Sequence, residues 1–326
     1  MKRLKKILAL TLALVTSVFF TGCGSATLSK DGNYWFSDPS ASFKALYKEV
    51  CEYDVTVTST TFSSSTEVTN PNGVVLEITS GKLTTTLETR EGAGSNRYYL
   101  YTTVLNVSGN YRFPGEPQKV EPFTDSYTTV TKFGEDLVPI TSTKTQDNNT
   151  LLVTDQAGYG LLSYKYSYAI NYEGTNANVT LTEYDEQGAP HDTQNTFKKY
   201  TKGAYIDNNT LFLIPRLYNL TSGFSRTFKT IDVLGNVNRD MMYYVPTEEV
   251  DVKNMPAYEL NGIVGEQVPS ARLSISIQDT YSGAVMECYY AVNKEVDRHR
   301  LTRSYIKIND SLGYLCYTLK KVTITE

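Results

Sequence analysis

The chain has 326 residues, 40% of them apolar and 20% charged, with a formal charge of −4. That length allows one large β domain or two ordinary ones, and the apolar share is too high for a disordered chain. The charge argues against nucleic-acid binding through a basic surface, and two His argue against a His-rich metal centre. The 26 Tyr, with abundant Thr, favour half-buried pleated surfaces, so the composition leans to sheet.

Residues 1–22 read as an export signal. Lys2, Arg3, Lys5 and Lys6 form a basic start, and an apolar run from Ile7 to Phe20 follows, broken only by Thr11, Thr16 and Ser17. As a membrane span the run is too short, because a crossing helix needs about 20 apolar residues. Phe20-Thr21-Gly22-Cys23 then resembles the bacterial lipobox, in which small residues precede a Cys that is acylated and becomes the new N-terminus. The resemblance implies a bacterial lipoprotein with Cys23 as its lipidation site. It would be exported and held outward-facing on the cell membrane by palmitate-type chains, at roughly 0.8 kcal/mol per buried methylene. Removing the signal takes away four of 31 basic residues and no acid, which leaves 27 against 35, a formal −8. A domain so charged is repelled by anionic headgroups and stands off on its tether, the Gly- and Ser-rich residues 23–33.

Trp35 and Phe36 read as an anchor for that tether. Asp38-Pro39 predicts a helix start, and Phe43, Leu46, Tyr47 and Val50 continue at helical spacing. Alternation of period two takes over at Val55 and Val57. Asn72-Gly73 is a turn signal, and Val74 to Ile78 with Lys82 to Arg90 predicts a hairpin around Ser80-Gly81. Arg97 to Val107 is a β-branched and aromatic strand, and Phe113 to Pro122 reads as a Pro-rich loop. Tyr164, Tyr166, Tyr168, Ile170 and Tyr172 share one strand face, and Val179 to Tyr184 pairs back across Glu173-Gly174. Asp207 to Thr210 and Leu211 to Leu217 predict a short helical turn cut by Pro215. Thr247 to Pro269 reads as an insertion. Four further strands run from Arg272 to Gln278, Ala284 to Val292, Arg303 to Ile308 and Tyr314 to Ile324. About twelve strands without regular helices between them argue for an antiparallel sheet in a single β-rich domain, residues 34–326.

Chemistry-bearing motifs are few. No Gly-x-Ser-x-Gly elbow, phosphate-binding Gly-x-x-x-x-Gly-Lys loop or His-Glu-x-x-His pair occurs. Ser304 and Lys307 match Ser-x-x-Lys, but in a strand residues three apart point to opposite faces. His191 and His299 read as exposed loop histidines. Glu183, Asp185 and Glu186 lack calcium-loop spacing and read as a solvated hairpin end. No catalytic residue, metal or cofactor is expected, and the chain reads as a non-enzyme. Once Cys23 is lipidated, Cys51, Cys288 and Cys316 leave an odd thiol. If the strands of Cys288 and Cys316 are next-but-one, the two lie about 10 Å apart and stay unbonded. The Tyr face has two readings. Tyr164, Tyr166, Tyr168 and Tyr172, with Phe212, line a groove for an apolar or amphipathic ligand, or the face packs on the core.

Three features in order carry a further resemblance: Asp136-Leu137-Val138-Pro139, a middle segment containing Arg216-Leu217-Tyr218, and Tyr314-Leu315-Cys316-Tyr317-Thr318-Leu319 near the end. Their order resembles an uncharacterised family of bacterial exported proteins, whose sheet is similar to the half-open barrels of the lipoprotein carriers LolA and LolB. The resemblance implies a mainly β fold, a large curved antiparallel sheet forming a half-barrel or open barrel with one or two short helices. The sheet would wrap residues 208–219 and present an apolar concave face. No catalytic residue comes with it, and the insertion at 247–269 departs from a compact carrier. The expected function is non-catalytic binding of a lipid or other apolar or amphipathic ligand by an envelope lipoprotein. The alternatives are a structural or protein-partner role at the envelope and, last, an envelope hydrolase. The partners expected are the membrane, through the anchor, and that ligand or an envelope protein, with no nucleic acid.

Overall fold

The computed structural model describes residues 47–59, 67–69, 73–92, 97–113, 118–134, 138–153, 159–185, 187–245, 251–277, 284–293, 296–309 and 313–325. The export signal, Cys23, the tether, Trp35, Phe36 and the start of the predicted helix lie outside them. The end of that helix is replaced by strand β1 (Lys48–Thr58). Glu49, Cys51, Tyr53, Val55 and Val57 alternate inward along it. Two flanking strands pair with β1 over most of its length, and such tertiary pairing outweighs the helical spacing of Tyr47 and Val50.

After β2 (Glu67–Thr69) comes β3 (Val75–Glu91), a continuous strand of 17 residues where a hairpin was expected. Ser80-Gly81 is no turn. It adjoins a bulge, and Gly81 is the point where β3 crosses close over β1. A Cβ at Gly81 would lie 2.6 Å from Val55 Cβ. Gly81→Ala is therefore expected to destabilise the protein by about 1–3 kcal/mol through overpacking. An unchanged urea midpoint would contradict the close approach.

A meander follows: β4 (Arg97–Arg112), β5 (Val120–Gly134), β6 (Pro139–Val153), β7 (Tyr159–Glu173), β8 (Asn176–Tyr184) and β9 (Pro190–Lys199). The predicted Pro-rich loop is shorter than expected, since β5 starts at Val120 and includes Pro122. There β5 is an edge, because β6 pairs with it only from Ser126 onward, and an edge tolerates a residue without an N–H. Next come β10 (Ser225–Asp232) and β11 (Val237–Tyr244), then the insertion with β12 (Val252–Met255), β13 (Glu259–Leu260) and β14 (Ile263–Val264). The chain ends in β15 (Val268–Ile277), β16 (Ala284–Ala291), β17 (Leu301–Asn309) and β18 (Gly313–Thr325). Among the described residues there are thus about six more strands than the sequence suggested, mostly short ones or ones rich in polar residues.

The pairings give one large curved sheet. Its main order is β10-β11-β15-β16-β17-β18-β1-β3-β4-β5-β6-β7-β8-β9, antiparallel throughout. The insertion patches two strands where their neighbours stop. β12 continues along β15 beyond the reach of β11, and β13 lies parallel to β18 beyond the reach of β17. The two ends of the sheet approach each other through residues 200–206. Tyr205 bridges Lys229, and Lys229 N–H donates to the Ala204 carbonyl at 2.9 Å. The result is a nearly closed, barrel-like sheet.

Side chains alone fill the interior of a barrel of about eight strands. A wider sheet needs something else inside, and here it is the chain itself. Residues 206–218 run through the interior as two 3-10 turns, Asn208–Thr210 and Ile214–Leu217. Leu211, Leu213, Ile214, Leu217 and Tyr218 of this plug join the main core. Pro215 does not cut the turn as expected, because it falls at the start of the second turn, where no N–H is needed. Among the described residues no helix is long and apolar enough to cross a membrane.

Candidate functional site

The plug is held at both ends by a buried carboxylate. At its start, Asp207 caps the first turn by accepting from Asn209 N–H at 2.9 Å. The same carboxylate accepts from Thr131 on β5 at 3.2 Å, Ser142 on β6 at 3.0 Å and Tyr172 on β7 at 2.6 Å. One side chain thereby fixes the plug to three consecutive strands. Burial raises the Asp207 carboxyl above its ordinary range, and these hydrogen bonds offset part of the rise.

At the other end, Arg216 reaches Glu49 on β1, Nη1 to Oε1 at 2.6 Å and Nη2 to Oε2 at 3.4 Å. Arg300, just before β17, donates from Nε to Glu49 Oε2 at 2.8 Å. Tyr47 donates to the same oxygen at 3.0 Å. Glu49 and Arg300 are fully buried and Arg216 almost so. Burial alone would raise the Glu49 carboxyl, but the two guanidiniums overcome it and hold the group at about 2. Between the two anchors, the plug's carbonyls take hydrogen bonds from buried tyrosines: Leu211 from Tyr243 at 3.0 Å and Phe212 from Tyr290 at 3.1 Å.

The turn that delivers Arg300 is strained. Arg298 and His299 both have positive φ, 50° and 48°, and Arg300 N–H closes the turn on the Asp297 carbonyl at 2.9 Å. Side chains with a Cβ rarely occupy two such positions in succession. The surroundings over-determine the conformation. The Arg298 carbonyl accepts from Arg216 Nε and Nη2 at 3.3 and 3.2 Å, and the Arg298 guanidinium donates to Tyr47 at 2.9 Å. His299 is buried here, contrary to the expected exposed loop histidine, because the tight turn folds it under the chain. His191 is exposed, as read, but lies in β9 and not in a loop.

The predicted site residues fall around the plug. Tyr166 and Tyr168 are buried and stacked, with ring centroids 6.4 Å apart. Tyr168 donates to Asn209 of the plug at 3.0 Å, and Tyr166 to Gln146 at 2.5 Å. Tyr172 is half-buried and bonded to Asp207. Tyr164 is described by its backbone, paired with Asn148. Phe212 is half-buried on the plug, edge-on to Tyr317 at 6.3 Å. The cavity beside the plug at Asp207 and Ile214 measures about 10 Å³, at the threshold for one water.

A much larger space lies outside the barrel. A groove of about 770 Å³ runs between the insertion and the loop joining β16 to β17. Leu260, Ile263, Val268 and Pro269 form one wall, Val292 and Val296 the other. Tyr258 and Asp297 belong to its polar lining, and Tyr258 donates to Asp297 Oδ1 at 2.5 Å. Behind them, Arg300 Nη1 donates to Tyr258 at 3.2 Å, while its Nη2 has no hydrogen-bond partner among the described residues. The groove lining thus connects through Tyr258, Arg300 and Glu49 to Arg216 of the plug.

Sequence reasoning missed Glu49, Arg216, Arg300 and the groove. The available signal was phase: Glu49 alternates with Cys51, Tyr53, Val55 and Val57, which puts a carboxylate on an apolar face. Cys51, Cys288 and Cys316 are all buried and free. β17 separates Cys288 from Cys316, and burial pushes the Cys51 thiol up to about 12. Ser304 is buried within β17. Asp185 accepts from Ala189 N–H at 2.8 Å in its own turn, and Glu186 lies outside the described residues. Among the described residues no group of His, Cys, Asp and Glu could hold a metal.

No protein-family model and no curated protein matches the chain. Among solved structures it is similar to a β-barrel-like protein of the domain of unknown function DUF1849 from Brucella abortus. The two share 12% identity over 86% of this chain and 98% of that one, with a TM-score of 0.47. The mainly β, barrel-like fold of the chain rests on its own strand pairings.

Proposed function

We propose that the protein is a lipid-anchored envelope lipoprotein that binds an amphipathic ligand without catalysing a reaction, in the outer groove rather than inside the barrel. The observation that carries this reading is the contrast in space. The groove's 770 Å³ falls in the range of roughly 300–1,000 Å³ typical of ligand sites, whereas the cavity beside the plug holds about 10 Å³. The Tyr face serves the plug, so the plugged barrel is the scaffold and the insertion with the β16–β17 loop forms the site. The anchor rests on the basic start, the apolar run and Thr21-Gly22-Cys23.

The test has two arms. Palmitate labelling of the full chain in its host should be lost in Cys23→Ala; retained label refutes the anchor. Native mass spectrometry of the mature domain purified from that host should show a bound mass that Val296→Arg removes. Val296 is 59% exposed, so this change blocks the groove without disturbing the core. A wild-type domain that stays unliganded after exposure to envelope extract, or a bound mass that survives Val296→Arg, refutes the groove.

A further inference from the structure

We propose that the free edge of β9 pairs with the same edge of a second copy of this chain, forming a two-fold dimer centred on Asn195; the groove has no part in it. Among the described residues β9 ends the sheet and pairs only with β8. Along an antiparallel ladder, residues that turn both backbone groups toward the neighbour alternate with residues that turn both away. Tyr200 continues the register of β9 and donates its N–H to the Thr175 carbonyl at 2.9 Å. The even-numbered residues of β9 therefore face β8, and the odd-numbered ones face outward. Lys199 agrees, since its carbonyl accepts from Tyr205 Oη at 3.0 Å and Asn238 Nδ2 at 3.4 Å. Lys198 Nζ donates to the Asn236 carbonyl, nearer the tip of the β10–β11 turn. The contacts thus step toward that tip as β9 is followed back from Lys199, and His191 to Phe197 run on past it. Their outward N–H and C=O groups have no ladder partner among the described residues.

The strand is complementary to itself. A two-fold contact sets each residue against its mirror image about the axis. Outward groups must meet outward groups, so odd-numbered residues pair with odd-numbered ones. Centred on Asn195, the ladder exchanges hydrogen bonds at Asn195 with Asn195 and at Thr193 with Phe197. It also sets Asp192 of each copy against Lys198 of the other. The next permitted registers, centred on Gln194 or Thr196, set Asp192 against Thr196 or Tyr200 and separate the charges. Asp192 gives one oxygen to Gln194 Nε2 at 2.9 Å, which leaves its other oxygen for Lys198. Phe197 is 76% exposed, more than any other large apolar residue described. In the dimer it lies across from Thr193, an aromatic and β-branched pair of the kind that stabilises sheets. Edge strands are blunted by a central charge, a Pro or a bulge. Here Pro190, the bulge and the charges stand toward the ends, and Thr193 to Thr196 are neutral. A copy of the chain is therefore the partner this edge fits.

Cysteine cross-linking of the full chain in its host, under mild oxidant, tests the axis. The two Asn195 Cα atoms would lie about 5.5 Å apart in a hydrogen-bonded pair, within disulfide range. Asn195→Cys should therefore give a covalent homodimer on a non-reducing gel. Thr193→Cys should not, because the two Thr193 residues lie about 14 Å apart along the strands. The wild type should not either, since Cys51, Cys288 and Cys316 are buried. Sedimentation velocity on the mature chain, to about 500 μM for so small a contact, tests the register. Asp192→Lys and Lys198→Asp should each raise the dimer dissociation constant at least about tenfold, because both charge pairs turn repulsive. An equimolar mixture of the two variants should recover the dimer, since the basic pair on one copy then meets the acidic pair on the other. Should Lys198→Asp disturb the β10–β11 turn through Asn236, the Asp192→Lys and Asn195→Cys arms still decide. A wild type that stays monomeric over this range, or a dimer unmoved by Asp192→Lys, overturns the proposal. So does equal cross-linking of Thr193→Cys and Asn195→Cys, or an Asn195→Cys link to a different protein in place of its own copy. None of these results depends on Val296→Arg, so the groove reading stands or falls separately.

Discussion

Glu49→Gln is expected to lower stability by about 3–5 kcal/mol, because it leaves the Arg216 and Arg300 guanidiniums buried without their counter-ion. For a domain of this size that corresponds to a fall in melting temperature on the order of 10 °C. The loss should exceed that of a triple replacement of Glu49, Arg216 and Arg300 by apolar residues of similar volume. An intact buried ion cluster contributes little net stability, whereas a broken one leaves an uncompensated charge. The pH dependence gives a second readout. The Glu49 carboxyl falls from its ordinary 4.5 to about 2 in the folded protein. A depressed carboxyl contributes stability that is present above 4.5 and is lost as pH falls toward 2, roughly 3 kcal/mol for a shift of that size. Urea midpoints from pH 7 to pH 2 should show this acid phase in the wild type and not in Glu49→Gln. A melting temperature within about 2 °C of wild type, with the acid phase retained, would contradict the assignment.

Asp207→Ala should cost roughly 3 kcal/mol, since the hydroxyls of Thr131, Ser142 and Tyr172 and the Asn209 N–H all lose one acceptor in a buried place. Asp207→Asn should cost much less, because an amide keeps one acceptor oxygen and Tyr172 can accept from its NH₂. The sign of the pH effect is opposite to that of Glu49. Burial raises the folded Asp207 carboxyl above its ordinary 3.8, so the folded state binds this proton more tightly than the unfolded chain does. Its contribution is fully present below 3.8 and is lost as pH rises through the folded value. Acidification from neutrality therefore gains stability from Asp207 before losing it at Glu49. Thermal melts across this range should lack the first gain in Asp207→Asn; a pH profile identical to wild type would refute the raised carboxyl.

Both carboxylates were hidden from sequence reading for physical reasons. Asp207 reads in the sequence only as the start of a short helical turn; its burial comes from β5, β6 and β7 closing around it. Glu49 sits at a position where helical spacing and strand alternation overlap. Local pattern could not choose between them, and pairing with β3 and β18 did. Ser80-Gly81 failed in a related way. A Gly after a Ser signals a turn locally, but this Gly answers a close approach by Val55, a residue distant in sequence. His299 read as exposed because it lies between two arginines; one of those, Arg300, is drawn inward by Glu49 and takes the turn with it.

The sequence by itself determined the class of the fold and the stiff elements of it. Alternation along β1, β4, β7 and β18 specifies which side chains face inward, and that pattern is a property of neighbours two apart in the chain. Composition likewise required many half-buried tyrosines. What only the tertiary structure decided is what the concave face meets. A sheet of this width cannot fill its interior with its own side chains, so either a ligand or a segment of chain must enter. Residues 206–218 enter, pinned by Asp207 and Arg216 to partners 35 to 167 residues away in sequence. The same long-range closure places the insertion against the β16–β17 loop and creates the groove, which no local pattern encodes.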